Sequence, residues 1–191
     1  MVKQVIAWFI WRYMRIGVYW QIFTYAITML FTIILVQVGK RRKLSAARCV
    51  LYALLFFYLI TAYIATVLSR EQSSEYLISL RPFLSWKKAF SGHRFSIRLV
   101  IENIFLLMPV GILVPLLNRK KPYAIKTVLT SFLFSLSIET SQYFLRTGLF
   151  ELDDLINNTI GAALGCGIVS VCLKIGTFLT EKKFFFQRRN K

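Results

Sequence analysis

Acidic side chains are scarce in this chain. Of 191 residues, 8 are Asp or Glu and 25 are Lys or Arg, which gives a formal net charge of +17. In a soluble protein this excess would indicate a nucleic-acid partner. The chain is 57% apolar, however, and in so apolar a chain basic residues usually flank membrane spans. Disorder is excluded by this composition, and we expect a membrane protein with no nucleic-acid partner.

Cysteine and histidine are also few. Cys49, Cys166 and Cys172 fall inside apolar runs, and the one histidine has no cysteine at metal-ligand spacing. This pattern supports neither a disulfide scaffold nor a zinc site, and we expect no metal and no cofactor. A cleaved signal peptide is not expected either, because residues 1–17 lack a short apolar core that leads to a small-residue cleavage site.

Five stretches approach the roughly 20 apolar residues that a membrane-spanning helix needs. We therefore predict an all-α integral membrane protein with about five transmembrane helices and a longer outer loop, residues 69–98, between the second and third. The predicted spans are Val18–Val38, Cys49–Leu68, Leu99–Leu117, Thr127–Leu145 and Leu155–Leu173. Residues 1–17 carry aromatic and basic side chains and are predicted to lie at the membrane interface.

The distribution of basic residues predicts an orientation. With five spans, residues 39–48, 118–126 and 174–191 share one side of the membrane and hold 15 Lys and Arg, against 10 on the other. The positive-inside rule then places the C-terminus in the cytoplasm and the N-terminus outside. The 174–191 segment is interpreted as a basic cytoplasmic tail.

Polar residues inside the last three spans form the candidate site, because ionisable groups within a membrane are costly and usually functional. With alternating spans, all of them reach the outer third of the bilayer. They are Glu102 and Asn103 in the third span, Glu139 and Gln142 in the fourth, and Asp154, Asn157 and Asn158 at the start of the fifth.

Helical spacing places these residues on defined faces. Five positions of the fourth span follow steps of three or four and form one polar stripe: Thr127, Ser131, Ser135, Glu139 and Gln142. Gly161 and Gly165 form a small-residue groove on the fifth helix, and we expect the fourth helix to dock there. Pro109 and Gly111 in the third span indicate a kink and a close approach of a neighbour.

Some of these residues could instead have purely structural roles. Asp153 or Asp154 is expected to cap the fifth helix, and Arg98 with Glu102 has the i, i+4 spacing of an ion pair. Gln142 and Asn158 could serve only as hydrogen-bond partners between helices. Arg146 is a second candidate partner for the acidic segment that includes Glu151.

Taken in order, several short pieces resemble the VanZ-like family of bacterial membrane proteins. The pieces are Leu80-Arg81-Pro82-Phe83, Glu102-Asn103, Pro109-Val110-Gly111, Glu139-Thr140-Ser141-Gln142, Asp153-Asp154-Leu155-Ile156-Asn157-Asn158-Thr159-Ile160-Gly161 and Gly165. The sequence departs from the family pattern at Glu151, where Asp is frequent, and at Ser79, where Asn is frequent. The resemblance implies a domain over residues 77–173, preceded by two generic spans in residues 18–68.

The namesake of the family is an accessory factor in resistance to teicoplanin-type glycopeptides, and the resemblance implies a cell-envelope role in the bacterial cytoplasmic membrane. Our leading hypothesis is an accessory protein that binds a lipid-linked envelope component or a lipoglycopeptide at an acidic outer-leaflet site, with membrane lipids as its surroundings. The candidate ligand-binding residues are Arg81, Arg98, Glu102, Asn103, Glu139, Gln142, Glu151, Asp153, Asp154 and Asn158. The alternative is a membrane-embedded hydrolase or transferase acting on a lipid-linked substrate, with Glu139 and Asp154 as acid and base; the sequence does not decide whether the protein is an enzyme.

Overall fold

The computed structural model describes residues 17–118 and 123–189, with side chains as far as Phe178. The interfacial segment predicted for residues 1–17 lies almost wholly outside the described residues, as do Arg119, Lys120 and Lys121 of the predicted cytoplasmic loop. Six helices form in the described ranges: α1 Val18–Arg41, α2 Ala46–Tyr63, α3 Leu84–Phe90, α4 Arg94–Leu117, α5 Tyr123–Leu145 and α6 Leu152–Arg189.

Two smaller elements complete the fold. A π-helical turn, Ile64–Leu68, continues α2 without a break. Strands β1 Ile78–Ser79 and β2 Phe150–Glu151 pair in parallel, with Ile78 opposite Phe150 and Ser79 opposite Glu151. The pair joins the loop after α2 to the turn before α6.

The predicted fold class, an all-α membrane protein, is confirmed. Among the residues that the structure describes, four helical segments are long and apolar enough to cross a bilayer: Val18–Arg41, Ala46–Leu68, Arg94–Leu117 and Leu152–Phe178. Helix α5 has 23 residues, or about 35 Å at 1.5 Å per residue, which is also long enough. It is less apolar because of its polar stripe, and the bundle accommodates this by burying Thr127, Ser131, Ser135, Glu139 and Gln142.

Helix α4 lies at the centre of the bundle. Its Leu106, Leu107, Val110 and Val114 form the buried core together with Ala62 of α2 and Ala162 of α6. Pro109 and Pro115 lie within α4, which is nevertheless one continuous helix. The Tyr58 hydroxyl of α2 donates to the Leu106 carbonyl at 2.6 Å and joins these two helices.

The predicted docking of the fourth span against the glycine groove of the fifth is wrong. A Cβ at Gly161 would overlap the Ile104 carbonyl of α4, and one at Gly165 would overlap the Met108 carbonyl. From the other side, a Cβ at Gly111 would overlap the Ala162 carbonyl. The groove therefore holds α4, because glycines on both helices let these two backbones touch. Helix α5 packs against a different part of α6, around Asn158.

Candidate functional site

One end of the bundle collects the polar residues that the sequence singles out. The π-helical turn after α2, the start of α4, the end of α5 and the start of α6 all meet there, next to the β1–β2 pair. We call Asn103, Glu139, Asp154 and Asn158 the acidic cluster. They come from three helices, and each has a partner or close neighbour on another element.

Glu139 is the most enclosed acid of the cluster, with 2% of its surface exposed. Its Oε2 accepts a hydrogen bond of 3.0 Å from the backbone N–H of Glu151 in β2. Arg70, Asp154 and Glu151 lie near enough to act electrostatically on its carboxylate. The strand pair thus positions the Glu139 side chain, and Arg70 is the basic residue among these three neighbours.

Asp154 joins α6 to α4. Its Oδ1 accepts a 2.5 Å hydrogen bond from the Asn103 side-chain amide. This contact lies on the same α4–α6 interface as the glycines, one turn or more nearer the end of the bundle. Asp154 also acts electrostatically on Glu139 of α5, so these two carboxylates from different helices lie near each other.

Two adjacent amides of α6 have buried atoms that find no hydrogen-bond partner among the described residues. Asn158 donates from Nδ2 to the Ser135 hydroxyl of α5 at 2.8 Å, but its Oδ1 has no partner. Asn157 accepts from the Trp86 indole N–H at 2.7 Å, but its Nδ2 has no partner. Both residues are 1% exposed. An unpaired buried polar atom costs about 1–3 kcal/mol, so these two atoms mark places suited to a ligand or an ordered water.

Gln142 has a structural partner. Its Nε2 donates at 3.0 Å to the Thr66 carbonyl, inside the π-helical turn. A π-helical turn displaces backbone carbonyls from regular α-helical pairing, and such turns are frequent at functional sites. Gln142 thus holds this irregular segment against α5, next to the acidic cluster.

Asp153 has a role that the sequence analysis did not foresee. Its carboxylate accepts from the backbone N–H groups of Phe83 and Ser85, at 2.5 and 2.6 Å, and from the Ser85 hydroxyl at 2.6 Å. Phe83 has φ +59, a left-handed conformation that is costly for a bulky residue. Asp153 therefore caps α3 from outside and fixes the loop that carries Arg81, which is itself exposed. Its carboxylate is fully engaged within the protein.

The two remaining acids lie at the margin of the cluster. Arg98 and Glu102 form the predicted ion pair, with 2.5 Å between Nε and Oε1. Burial, reinforced by the neighbouring Asp153 carboxylate, raises the pKa of Glu151, and Lys88 and Arg70 partly offset this effect. Arg146, the other predicted partner of the acidic segment, lies instead over the Tyr76 ring at 5.2 Å.

An apolar groove of about 280 Å³ adjoins this end of the bundle. Ile78 and Leu80 line it from the β1 side, Phe150 from β2, and Thr140, Tyr143 and Phe144 from α5. The groove contacts the residues next to Glu139 and Glu151 in sequence. An apolar chain lying there would reach the bundle end beside the acidic cluster.

Arg70, Ser85, Trp86 and Asn157 contribute to this site but were not among the predicted ligand-binding residues. Arg70 is the first charged residue after the second span, a position that could have drawn attention to it. Ser85 and Trp86 lie in the longer loop, and their contacts with Asp153 and Asn157 span about 70 positions in the sequence. Such pairings leave no local signal in a single sequence.

The sequence model of the VanZ/LLP1 family matches residues 46–173. This chain belongs to the VanZ/LLP1 family. The matched segment runs from α2 into α6 and contains every residue of the acidic cluster, whereas α1 precedes it. Together with the apolar helices, membership identifies a multi-pass membrane protein of this family. Searches against curated proteins and against solved structures find no match.

Proposed function

We propose that this VanZ/LLP1 protein binds the polar head of an amphiphilic envelope molecule, a lipid-linked wall component or a lipoglycopeptide of the teicoplanin type, at the acidic cluster. The proposal includes the orientation in which this end of the bundle faces the outside of the cytoplasmic membrane. The observation that carries it is the buried Glu139 with the half-buried Asp154 near it and an unpartnered Asn158 Oδ1 on the same helix as Asp154. Acceptor oxygens of this kind suit amine and hydroxyl groups.

The ligand set is smaller than the sequence suggests. Asp153, Gln142 and Glu102 already bind Ser85, Thr66 and Arg98, so their role is to support the loop and the helices around the cluster. In our proposal, Glu139, Asp154 and Asn158 meet the polar head, and Asn103 orients Asp154. The exposed Arg81 would meet a phosphate or carboxylate group of the same ligand, and Arg98, whose Nε binds Glu102, would do so through the other N–H groups of its guanidinium.

The apolar groove beside Thr140 and Phe150 supports an amphiphilic ligand rather than a free sugar or peptide. It opens at the exposed side chains of Ile78, Leu80 and Phe144, which would otherwise face lipid. A ligand with an acyl chain would bury this chain in the groove while its head meets the cluster. The gain is roughly 0.8 kcal/mol for each CH₂ group buried from water, and less from lipid.

The test is growth of a susceptible bacterium that expresses the chain, at graded concentrations of teicoplanin. Glu139→Gln and Asp154→Asn keep size and remove charge, and each is expected to abolish resistance at normal protein abundance. The double variant should add little, because groups acting as a unit are strongly non-additive. Glu71→Gln, at an exposed acid of the loop after α2, is the matched control and should retain resistance.

Repeating the growth assay with a glycopeptide that has no acyl chain tests separately whether the ligand uses the acidic cluster and the apolar groove. Protection against teicoplanin alone supports a ligand that uses both groove and cluster. Normal resistance in both single variants, with abundance verified, would contradict a functional role for the carboxylates.

The proximity of Glu139 and Asp154 favours one second candidate, a membrane-embedded hydrolase or transferase. Two carboxylates at close quarters can divide acid and base roles between them. The assay is turnover of a lipid-linked glycan by purified protein, with and without a divalent cation. Product formation that both carboxamide variants abolish would establish the enzyme; binding without product would support the accessory protein.

A further inference from the structure

A second cavity lies far from the acidic cluster, between α1 and α2. It has a volume of about 540 Å³, within the roughly 300–1,000 Å³ of pockets that hold small molecules. Its walls are mostly apolar, with Val36, Leu44, Ala53 and Phe57 among them, and Lys40 lines it near the turn that joins the helices. From Lys40 to Thr28, the lining residues of α1 span about 18 Å, close to the ~15 Å depth of one leaflet of hydrocarbon.

The turn beside this cavity carries a concentrated positive charge. We call Lys40, Arg41, Arg42, Lys43 and Arg48 the basic turn; all five are exposed. In the part of the chain that the structure describes, the one ion pair found is Arg98–Glu102, so none of the five is paired. All eight acidic residues of the chain lie at position 71 or later, and the first 70 residues contain none.

Apolar walls with unpaired cations at one end complement an anionic phospholipid. The phosphate would meet the basic turn, where each Lys or Arg near a membrane surface contributes about 1 kcal/mol to binding anionic lipid. Helices α1 and α2 form the N-terminal hairpin, residues 18–63. One acyl chain would fill the space between the two helices and cover walls that the hairpin itself leaves unpacked. A neutral lipid could occupy the same space but would gain nothing from the five charges.

We propose that this cavity and the basic turn together bind one anionic phospholipid. The proposal is independent of the function assigned to the acidic cluster. The whole wall formed by α1 and four of the five basic residues precede the segment that the family model matches, whereas the wall formed by α2 and Arg48 lie within it. The site therefore combines residues that precede the family segment with residues at the start of that segment.

The experiment measures retained lipid by native mass spectrometry of the full chain released from membranes of phosphatidylglycerol and phosphatidylcholine. We expect one retained phosphatidylglycerol and little phosphatidylcholine. Arg41→Gln with Arg42→Gln should weaken retention of phosphatidylglycerol about fivefold for each charge removed. The matched control, Lys87→Gln with Arg94→Gln, removes two exposed charges at the opposite end of the bundle and should leave retention unchanged.

A cavity-filling variant tests the apolar half of the site. Ala53→Trp keeps every charge and should displace the acyl chain, lowering retention to the level of the charge variant. Unchanged retention in Ala53→Trp would show surface attraction without a built pocket and would overturn the proposal. Equal retention of both lipids by the wild-type chain would do the same.

Labelling of Cys49 gives a readout that does not depend on any variant of the site itself. Cys49 lines the cavity, and Cys166→Ala with Cys172→Ala leaves it as the one thiol. Phosphatidylglycerol should slow its reaction with a maleimide, and phosphatidylcholine or inorganic phosphate should not. Protection in both lipids, accompanied by cross-linking of two chains through this face, would identify a second copy as the occupant and contradict the proposal.

Discussion

The N-terminal hairpin and the C-terminal bundle bury their surfaces in different ways. Within the span of α1, 11% of residues are buried inside the protein, against 44% within the span of α4. The hairpin is apolar all round, and its faces suit contact with lipid. The bundle packs glycine against backbone and keeps its carboxylates and amides inside. Spans of similar hydropathy can thus face mainly lipid or mainly other helices. The positions of polar and glycine residues distinguish the two kinds of span.

The largest effect is expected from Gly161→Leu, which tests whether close backbone contact distinguishes the bundle from the hairpin. Because even a Cβ at this position overlaps the Ile104 carbonyl, α4 and α6 must separate, and we expect a loss of about 3 kcal/mol, the upper end for overpacking. Thermal unfolding in detergent measures it. Gly167→Leu, in the same helix with open space around it, is the control and should melt like the wild type. Equal melting of both variants would show that the α4–α6 contact is not tight.

Asp153→Ala is expected to have the next largest effect. It tests whether contacts with α6 hold the long loop on the bundle. The change leaves the N–H groups of Phe83 and Ser85 without their charged acceptor, at a cost of about 1.5–3 kcal/mol. Asp153→Asn keeps one acceptor oxygen and should lose less. Proteolysis within residues 80–92 should become faster in Asp153→Ala. Resistance of this loop to protease in the alanine variant would mean that other contacts hold it.

Tyr58→Phe tests the hydrogen bond from Tyr58 of the hairpin to the backbone of α4. It removes the 2.6 Å bond to the Leu106 carbonyl and should cost about 1 kcal/mol. Tyr52→Phe, at a more exposed position of the same helix, is the matched control with no expected effect. A larger loss of stability in Tyr58→Phe than in Gly161→Leu would contradict the comparison. It would mean that the contact of α2 with α4 stabilises the protein more than the contact of α4 with α6.

Glu151→Gln should have the smallest effect, and it is one of pH dependence. Burial raises the pKa of Glu151 in the folded state, so ionisation opposes folding. The stability associated with the protonated acid is complete below the ordinary value of 4.5 and is lost as pH rises through the raised value. Glu151→Gln should therefore flatten the pH dependence of the melting temperature above 4.5 and should not destabilise the protein at pH 7. A steeper dependence in the variant would contradict the sign.

The sequence predicted the fold class and the polar face of α5 because both depend on local composition and on helical period. Steps of three and four residues place Ser135 and Glu139 on one face, and the structure buries both. The same reasoning identified a small-residue groove at Gly161 and Gly165 but assigned it the wrong neighbour. Periodicity describes one helix and contains no information on which other helix occupies its face.

Other features of the site were beyond prediction for a related reason. The capping spacing at Asp153 suggested a role in its own helix, whereas its actual partners lie about 70 positions earlier in the chain. A two-residue strand such as Ile78–Ser79 is too short to show alternation, and the π-helical turn of Ile64–Leu68 has an ordinary apolar sequence. Each depends on contacts that exist only after the bundle has formed.

The parallel strand pair has a consequence for the order of folding. Ile78 and Phe150 are separated by α3, α4 and α5. Their pairing therefore closes a long segment of chain, yet only two residues of each strand take part. The few hydrogen bonds of the strand pair do not offset the entropy lost in closing so long a loop. The pair is therefore expected to form only after the intervening helices have been inserted and packed. The next N–H along the chain from Phe150 is that of Glu151, which binds Glu139. We therefore expect assembly of the acidic cluster to be among the last steps of folding, so that a chain with helices still unpacked would lack the contact between Glu139 and β2.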